Sequence, residues 1–244
     1  MNQKEELADL QISGYGSVPG GKFASVKIFG RGKITGDLDC EEFVINGSGD
    51  VIGTLTCKQM FVNGSGDMAG KVITDVLKVR GSANFNAKVK AGETSISGSA
   101  TAKSGLEAQT VKVSGSVKIK GDVSAENFSS TGRFDVDGLL NAENVDIHLD
   151  WSTSKAKEIG GESITVMNGT KGFSLISIVT LGTHSPRLEA DLIEGERIIL
   201  ENTTAKAVRG TYITIGDGCD IGIVEYKGSY NKSGSARVGE EKKI

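Results

Sequence analysis

Gly30, Gly47, Gly64, Gly81, Gly98, Gly115 and Gly132 stand 17 residues apart in strict register. Such a line is an internal repeat, and a repeat of this length constrains architecture before any other feature does. Apolar lines run parallel to it. One reads Val26, Phe43, Met60, Leu77, Thr94, Val111, Phe128, Val145, and a second reads Ile28, Ile45, Val62, Val79, Ile96, Val113, Ser130, Ile147. Lines beginning at Ile34 and Leu38 are also apolar, and one beginning at Cys40 is small. Gly36, Gly53, Gly70, Ala87, Ser104, Gly121 and Gly138 make a further small line, read as a second corner.

Within a repeat, apolar and polar residues alternate, as in Phe43-Val44-Ile45 and Val111-Lys112-Val113. Period two means strand. Each repeat holds three such pieces separated by glycine or small polar residues. Glycine suits the bends because it tolerates φ > 0. The expected fold is therefore all-β: a parallel β-helix solenoid of triangular cross-section with 17 residues per turn. Parallel crossovers favour right-handed winding. Leu10, Ile12, Gly14 and Val18 match Val26, Ile28, Gly30 and Ile34 at a spacing of 16, which makes Leu10 the start of the first turn. A single turn buries about five apolar groups, roughly 1.5–3 kcal/mol each. Ordering its residues costs about 1–2 kcal/mol apiece. Only a stack is stable.

The regular pattern ends near Asp150. The expected organisation is a tail over 1–9, a regular β-helix over 10–150, a less regular strand-rich segment over 151–226 and a disordered tail over 227–244. The segment WSTSKAKEIGG at 151–161 is polar and lacks the interior lines. Strand-like pieces resume at Ile164–Val166, Ser174–Leu181, Arg197–Leu200, Tyr212–Ile215 and Ile221–Val224. Ile147, Ile164, Leu181, Ile198 and Ile215 keep the 17-residue spacing, as the one surviving line. The segment either continues the first stack or forms a separate domain.

The net charge of −3 gives no global pull toward nucleic acid. No apolar run reaches membrane-span length, and MNQKEELADL is charged, so the chain reads as cytoplasmic. Cys40 and Cys57, one repeat apart, read as small interior residues rather than a disulfide or metal pair. GSVPGGKF at 16–23 approaches a phosphate-binding loop, but Phe23 stands where Ser or Thr would hold magnesium, and strand pattern follows instead of a helix. The GxGxxxG stretches at 30–36, 47–53 and 64–70 read as corner glycines. His148 and His184 lack metal-type neighbours, and the pairs Asp37/Asp39 and Asp135/Asp137 read as solvated faces. Lys71, Lys78, Arg80, Lys88, Lys90, Lys112, Lys118 and Lys120 form a basic middle region with few aromatics, also a solvated face. No catalytic, metal or cofactor-binding residues emerge, and the chain does not read as an enzyme.

Two sets of residues stand out for association. Leu10, Ile12, Val18 and Phe23 belong to the first turn, which only nine residues precede; the last turn of a solenoid exposes core and unpaired strand groups unless a segment caps it. Phe29, Val44, Ile52, Phe61 and Ile73 are apolar at outward positions, with Val44 and Phe61 one turn apart on one face.

The strand-corner words FVINGSGDVIGTL at 43–55, Leu77–Val89 and VKVSGSVKIKGDV at 111–123 resemble the bactofilins, the polymer-forming bacterial cytoskeletal family. The resemblance covers Leu10 to about Asn144, and the stretch Ala190 to Tyr226, with IEGERIILENTTAKAVRG, resembles that of the longer Gram-positive members. It implies a right-handed triangular β-helix and end-to-end polymerisation without nucleotide or other cofactor. It also implies a scaffold role beneath the membrane in cell shape, polar organisation or flagellar motility. The implied partners are further copies of the chain, a related bactofilin paralogue and membrane-associated proteins, with no nucleic acid. The chain departs from the family in its charged N-terminus and in the extra segment after Asp150. Two other readings compete. One is a monomeric or dimeric adaptor that presents the Val44/Phe61 face. The other is a left-handed hexapeptide-type acyltransferase, which the 17-residue period and the histidine placement disfavour.

Overall fold

The computed structural model describes residues 7–150, 152–169 and 186–244. Among them there are strands and no helices, and every strand pairing is parallel. The chain divides into two compact units, 1–121 and 122–244.

The first unit contains β1 (Leu10–Ile12), β2 (Tyr15–Ile28), β3 (Arg31–Ile45), β4 (Ser48–Val51), β5 (Leu55–Val62), β6 (Ser65–Met68), β7 (Val72–Val79), β8 (Ser82–Phe85), β9 (Val89–Ile96), β10 (Ser99–Ala102), β11 (Leu106–Val113) and β12 (Ser116–Ile119). Register confirms the repeat. Ser48–Val51 pairs with Ser65–Met68, Leu55–Cys57 with Val72–Thr74, and Gln59–Val62 with Val76–Val79. The breaks at Lys58 and at Asn63-Gly64 separate three faces per turn, as the alternation predicts. The first turn carries its one-residue deletion, with Leu10 paired to Val26 and Ile12 to Ile28.

The apolar lines are the core. Val26, Phe43, Met60 and Leu77 are buried, as are Ile34, Val51, Met68 and Phe85. A sixth inward line was not legible as such: Gly32, Gly49, Gly66, Ala83, Ala100 and Val117 are all buried. The middle glycines of the GxGxxxG stretches therefore sit on a strand facing the interior, not at corners. At Gly49 an added Cβ would meet Ile45 Cδ1 at 2.9 Å and Ile28 Cδ1 at 3.0 Å. Glycine there makes room for long neighbours, and alanine or valine replaces it in later turns.

The repeating glycine line has a different cause from the expected left-handed φ. Gly36 (φ 135°) and Gly105 (φ 89°) are the first unit's described glycines with positive φ, and neither is in that line. Close approach is what matters. A Cβ at Gly47 would lie 2.0 Å from the Gly30 carbonyl oxygen, at Gly64 2.0 Å from that of Gly47, and at Gly81 2.0 Å from that of Gly64. The chain turns this corner by stacking each glycine on the carbonyl of the one before. At the other corner Asp37 adds a side-chain tie, its carboxylate accepting from the Thr54 N–H at 2.7 Å.

The second unit contains β13 (Val123–Ser130), β14 (Arg133–Leu149), β15 (Ser154–Asn168), β16 (Leu188–Leu200), β17 (Thr203–Ile215), β18 (Asp220–Lys232) and β19 (Arg237–Lys243). It too is a parallel solenoid, but its turns vary in length. Ile147 pairs with Val166, Val166 with Leu200, and Leu200 with Ile215. The expected line of Ile147, Ile164, Ile198 and Ile215 is therefore not one ladder. Ile164 pairs directly with Ile198 and Ile198 with Ile213, so long and short steps cancel and mimic the period. Leu181 and the expected strand Ser174–Leu181 lie outside the described residues.

Two further expectations change. The polar stretch after Asp150 supplies an interior rung, with Ser154, Ala156 and Ile159 buried. The Ser154 hydroxyl accepts from the Phe134 N–H at 3.3 Å, so a small polar residue fits the core. Residues 227–244, read as disordered, continue β18 to Lys232 and form β19. β19 pairs Ile221 with Val238 and Val224 with Glu241. Backbone ladders hold it without an apolar alternation, so hydrophobic pattern could not reveal it.

Candidate functional site

The N-terminal turn of the first unit differs from the turns behind it in how well its inward residues are covered. Leu10, Val18 and Phe23 are half-buried, whereas their rung partners Val26, Ile34 and Cys40 are buried. Ile12 is buried at 7% exposure. Where the next turn carries Leu38, this turn carries Gly21, and the Phe23 ring closes over it: a Cβ at Gly21 would lie 3.3 Å from Phe23 Cε2. One aromatic thus substitutes for a missing leucine at the margin of the stack. Residues 8–9 run beside β2, with the Ala24 N–H donating to the Ala8 carbonyl at 2.9 Å and the Ser25 hydroxyl to Asp9 at 2.7 Å. Leu7 is exposed, and with Phe23, Cys40, Cys57 and Ile73 it lines a groove of about 350 Å³.

The five lateral candidates do not form one patch. Val44 and Phe61 are register partners on one face and are half-buried. Lys27 pairs with Val44 and Lys78 with Phe61, so lysines bound this two-rung ladder. Ile73 lies on a different face, in register with Thr56 and Lys90. Phe29 and Ile52 sit beyond the ends of their strands, each about half exposed.

Several of the remaining charged groups pair with neighbours on adjacent turns. Lys88 and Lys90 both reach Glu107 at 2.9 Å. Their hydrogen bonds hold its carboxyl at about 2, below the usual carboxylate range. Lys112 faces Glu93 at 3.9 Å, Arg80 donates to the Asn63 side chain at 3.4 Å, and Lys22 faces Asp39 at 3.8 Å. His148 lies 3.4 Å from Asp146, both exposed, and His184 lies outside the described residues. No group of three or more metal-type side chains occurs among the described residues. No helix there is long and apolar enough to cross a membrane. The second unit has wider grooves of about 620 and 720 Å³. Charges lining the larger groove pair with one another, as in Lys155–Glu189 at 2.6 Å and Lys206–Asp191 at 2.7 Å.

An apolar, half-covered end on a parallel stack can extend a sheet into another molecule. Residues 7–90 match the bactofilin family model, described as polymer-forming cytoskeletal. The matched residues contain the whole N-terminal turn, all five lateral candidates and the Cys40/Cys57 pair. Among curated proteins, the uncharacterized protein YhbF of Bacillus subtilis (strain 168) is 36% identical over 100 residues, which is 41% of this chain and 39% of that protein. The uncharacterized protein YhbE of the same organism is 39% identical over 100 residues, 41% of this chain and 40% of that protein. The chain thus spans about two fifths of the length of these relatives. No solved structure matches.

Proposed function

We propose that the chain is a non-enzymatic cytoskeletal scaffold that assembles through the N-terminal end of its β-solenoid. The observation that carries this reading is the loss of cover from Val26, Ile34 and Cys40 to Leu10, Val18 and Phe23, inside a segment that matches a polymer-forming family. Completing the burial of three half-covered side chains supplies about 1 kcal/mol each. Association costs at least about 4 kcal/mol of rigid-body freedom. Side-chain burial alone therefore does not suffice, and backbone hydrogen bonds along the first turn's strand edge must contribute. Assembly is then concentration-dependent and built from individually weak contacts.

Sedimentation velocity across a concentration series tests this. Phe23→Lys and Leu10→Lys are the informative variants, because Ile12 is buried and a charge there would damage the fold itself. Both should shift the distribution to monomer with unchanged far-ultraviolet circular dichroism. Unchanged assembly in both would remove this end from the account. The working location is the cytoplasm at the inner face of the membrane, where such a scaffold would serve cell shape or motility, alone or with a paralogue.

The in-register Val44–Phe61 ladder favours a second reading, an adaptor face for another protein. Val44→Lys with Phe61→Lys should then abolish partner capture while leaving self-assembly intact.

A further inference from the structure

Cys40 and Cys57 face inward on the same line, and the register of β3 and β5 pairs them directly. Both are free thiols. Neighbouring strands lie about 4.8 Å apart, within the Cα separations of roughly 4.4–6.8 Å that disulfides span. The pair is also less sealed than the core beside it. Cys40 and Cys57 are 5% and 6% exposed, while Phe43 and Met60 on the same turns are 0%. Both line the groove beside Leu7 and Phe23, which gives a small oxidant a route. The two thiols shift each other, Cys40 pushed up and Cys57 held down. Cys57 also donates to the Thr74 hydroxyl at 3.5 Å. Cys219 provides the contrast. It has no cysteine neighbour, donates to the Leu200 carbonyl at 3.3 Å, and is pushed up to about 11 by burial.

We propose that Cys40 and Cys57 are a peroxide-oxidisable pair that closes into a reversible disulfide joining two adjacent turns. The Cys57 thiolate attacks one peroxide oxygen, the O–O bond breaks, and the departing hydroxide takes a proton to leave as water. Cys57 is then a sulfenic acid. Cys40 attacks the Cys57 sulfur, the S–S bond forms, the S–O bond breaks, and the hydroxide leaves with the Cys40 proton as a second water. Two thiols are oxidised by two electrons and one hydrogen peroxide is reduced to two waters. A dithiol reductant reverses the bond by exchange.

The test treats the purified full chain with hydrogen peroxide, then denatures it in the presence of N-ethylmaleimide and maps the peptides by mass. The expected product has lost about 2 Da, leaves Cys40 and Cys57 unlabelled and Cys219 labelled, and regains both labels after dithiothreitol. Cys40→Ala should eliminate this product, and Cys219→Ala should leave it unchanged. Alanine is a fair probe of position 40 because Ala91 and Ala108 occupy the same line. Full labelling of all three cysteines after peroxide overturns the proposal. So does irreversible sulfinic acid in the wild type, or a loss of about 2 Da, reversed by dithiothreitol, that persists in Cys40→Ala.

Discussion

Gly64→Ala and Gly66→Ala are single-methyl additions two residues apart, and the structure predicts opposite tolerances. At Gly64 the new Cβ would lie 2.0 Å from the Gly47 carbonyl oxygen and 2.5 Å from that of Asn46. Both obstacles are backbone, so the rungs themselves must separate. The ladder bonds at risk are Gly64 N–H to Ile45 O at 3.0 Å and Ser65 N–H to Gly47 O at 2.8 Å. Losing two such bonds, one of them to the carbonyl of the buried Ile45, and parting the rungs costs about 4 kcal/mol. A less flexible unfolded chain returns about 0.4–1 kcal/mol, for a net loss of about 3 kcal/mol. At Gly66 the new Cβ would lie 2.5 Å from Met68 Cε and 3.0 Å from Ile45 Cδ1. These are ends of flexible side chains that can move. The mild overpacking is of the order of the entropy gain, so the net effect is about zero within 1 kcal/mol. Urea unfolding followed by circular dichroism reads the difference. With a slope of about 1–3 kcal/mol/M, the Gly64→Ala midpoint should fall by roughly 1–3 M while that of Gly66→Ala barely moves. Equal losses, or a larger loss at Gly66, would refute the assignment of one line to corner approach and the other to interior filling.

Three other predictions rest on separate observations. The Thr94 hydroxyl is buried without a hydrogen-bond partner, so Thr94→Val should raise stability by about 1 kcal/mol, read as a higher melting temperature. A fall would show that the hydroxyl has a partner. Asp37→Ala removes the carboxylate that accepts from the Thr54 N–H and should cost about 1 kcal/mol in the same assay. Glu107 should titrate near 2 by carbon-detected magnetic resonance. Because its folded value is depressed, its contribution to stability is complete above the ordinary carboxylate value of 4.5 and fades as pH falls toward 2. Removing Lys88 and Lys90 together should return the midpoint toward the ordinary value.

The first unit was legible because its period is constant, so each inward position recurs as a column of like residues. The middle glycines of its GxGxxxG stretches were still misassigned to corners. Gly49 and Gly66 share their residue type with corner glycines, and sequence does not separate a missing side chain facing the core from one facing a carbonyl. The conversion of that column to Ala83, Ala100 and Val117 was the available signal. The second unit was legible in composition but not in register. Ile164 reaches Ile198 in one rung and Ile198 reaches Ile213 in the next. A fixed-period search joins the wrong partners there. The charged last strand, Arg237–Lys243, is held by backbone bonds that leave no hydrophobic trace. Leu10 and Phe23 are proposed for association from their chain position, since they look like any core residue until their missing cover is seen.

Negative-stain electron microscopy of the purified full chain, at high concentration and in both low and physiological salt, tests the central claim most directly. Elongated assemblies in the wild type, reduced to single particles by Phe23→Lys, are the predicted result. Isolated single particles for the wild type in both salts would contradict assembly through the N-terminal end of the solenoid.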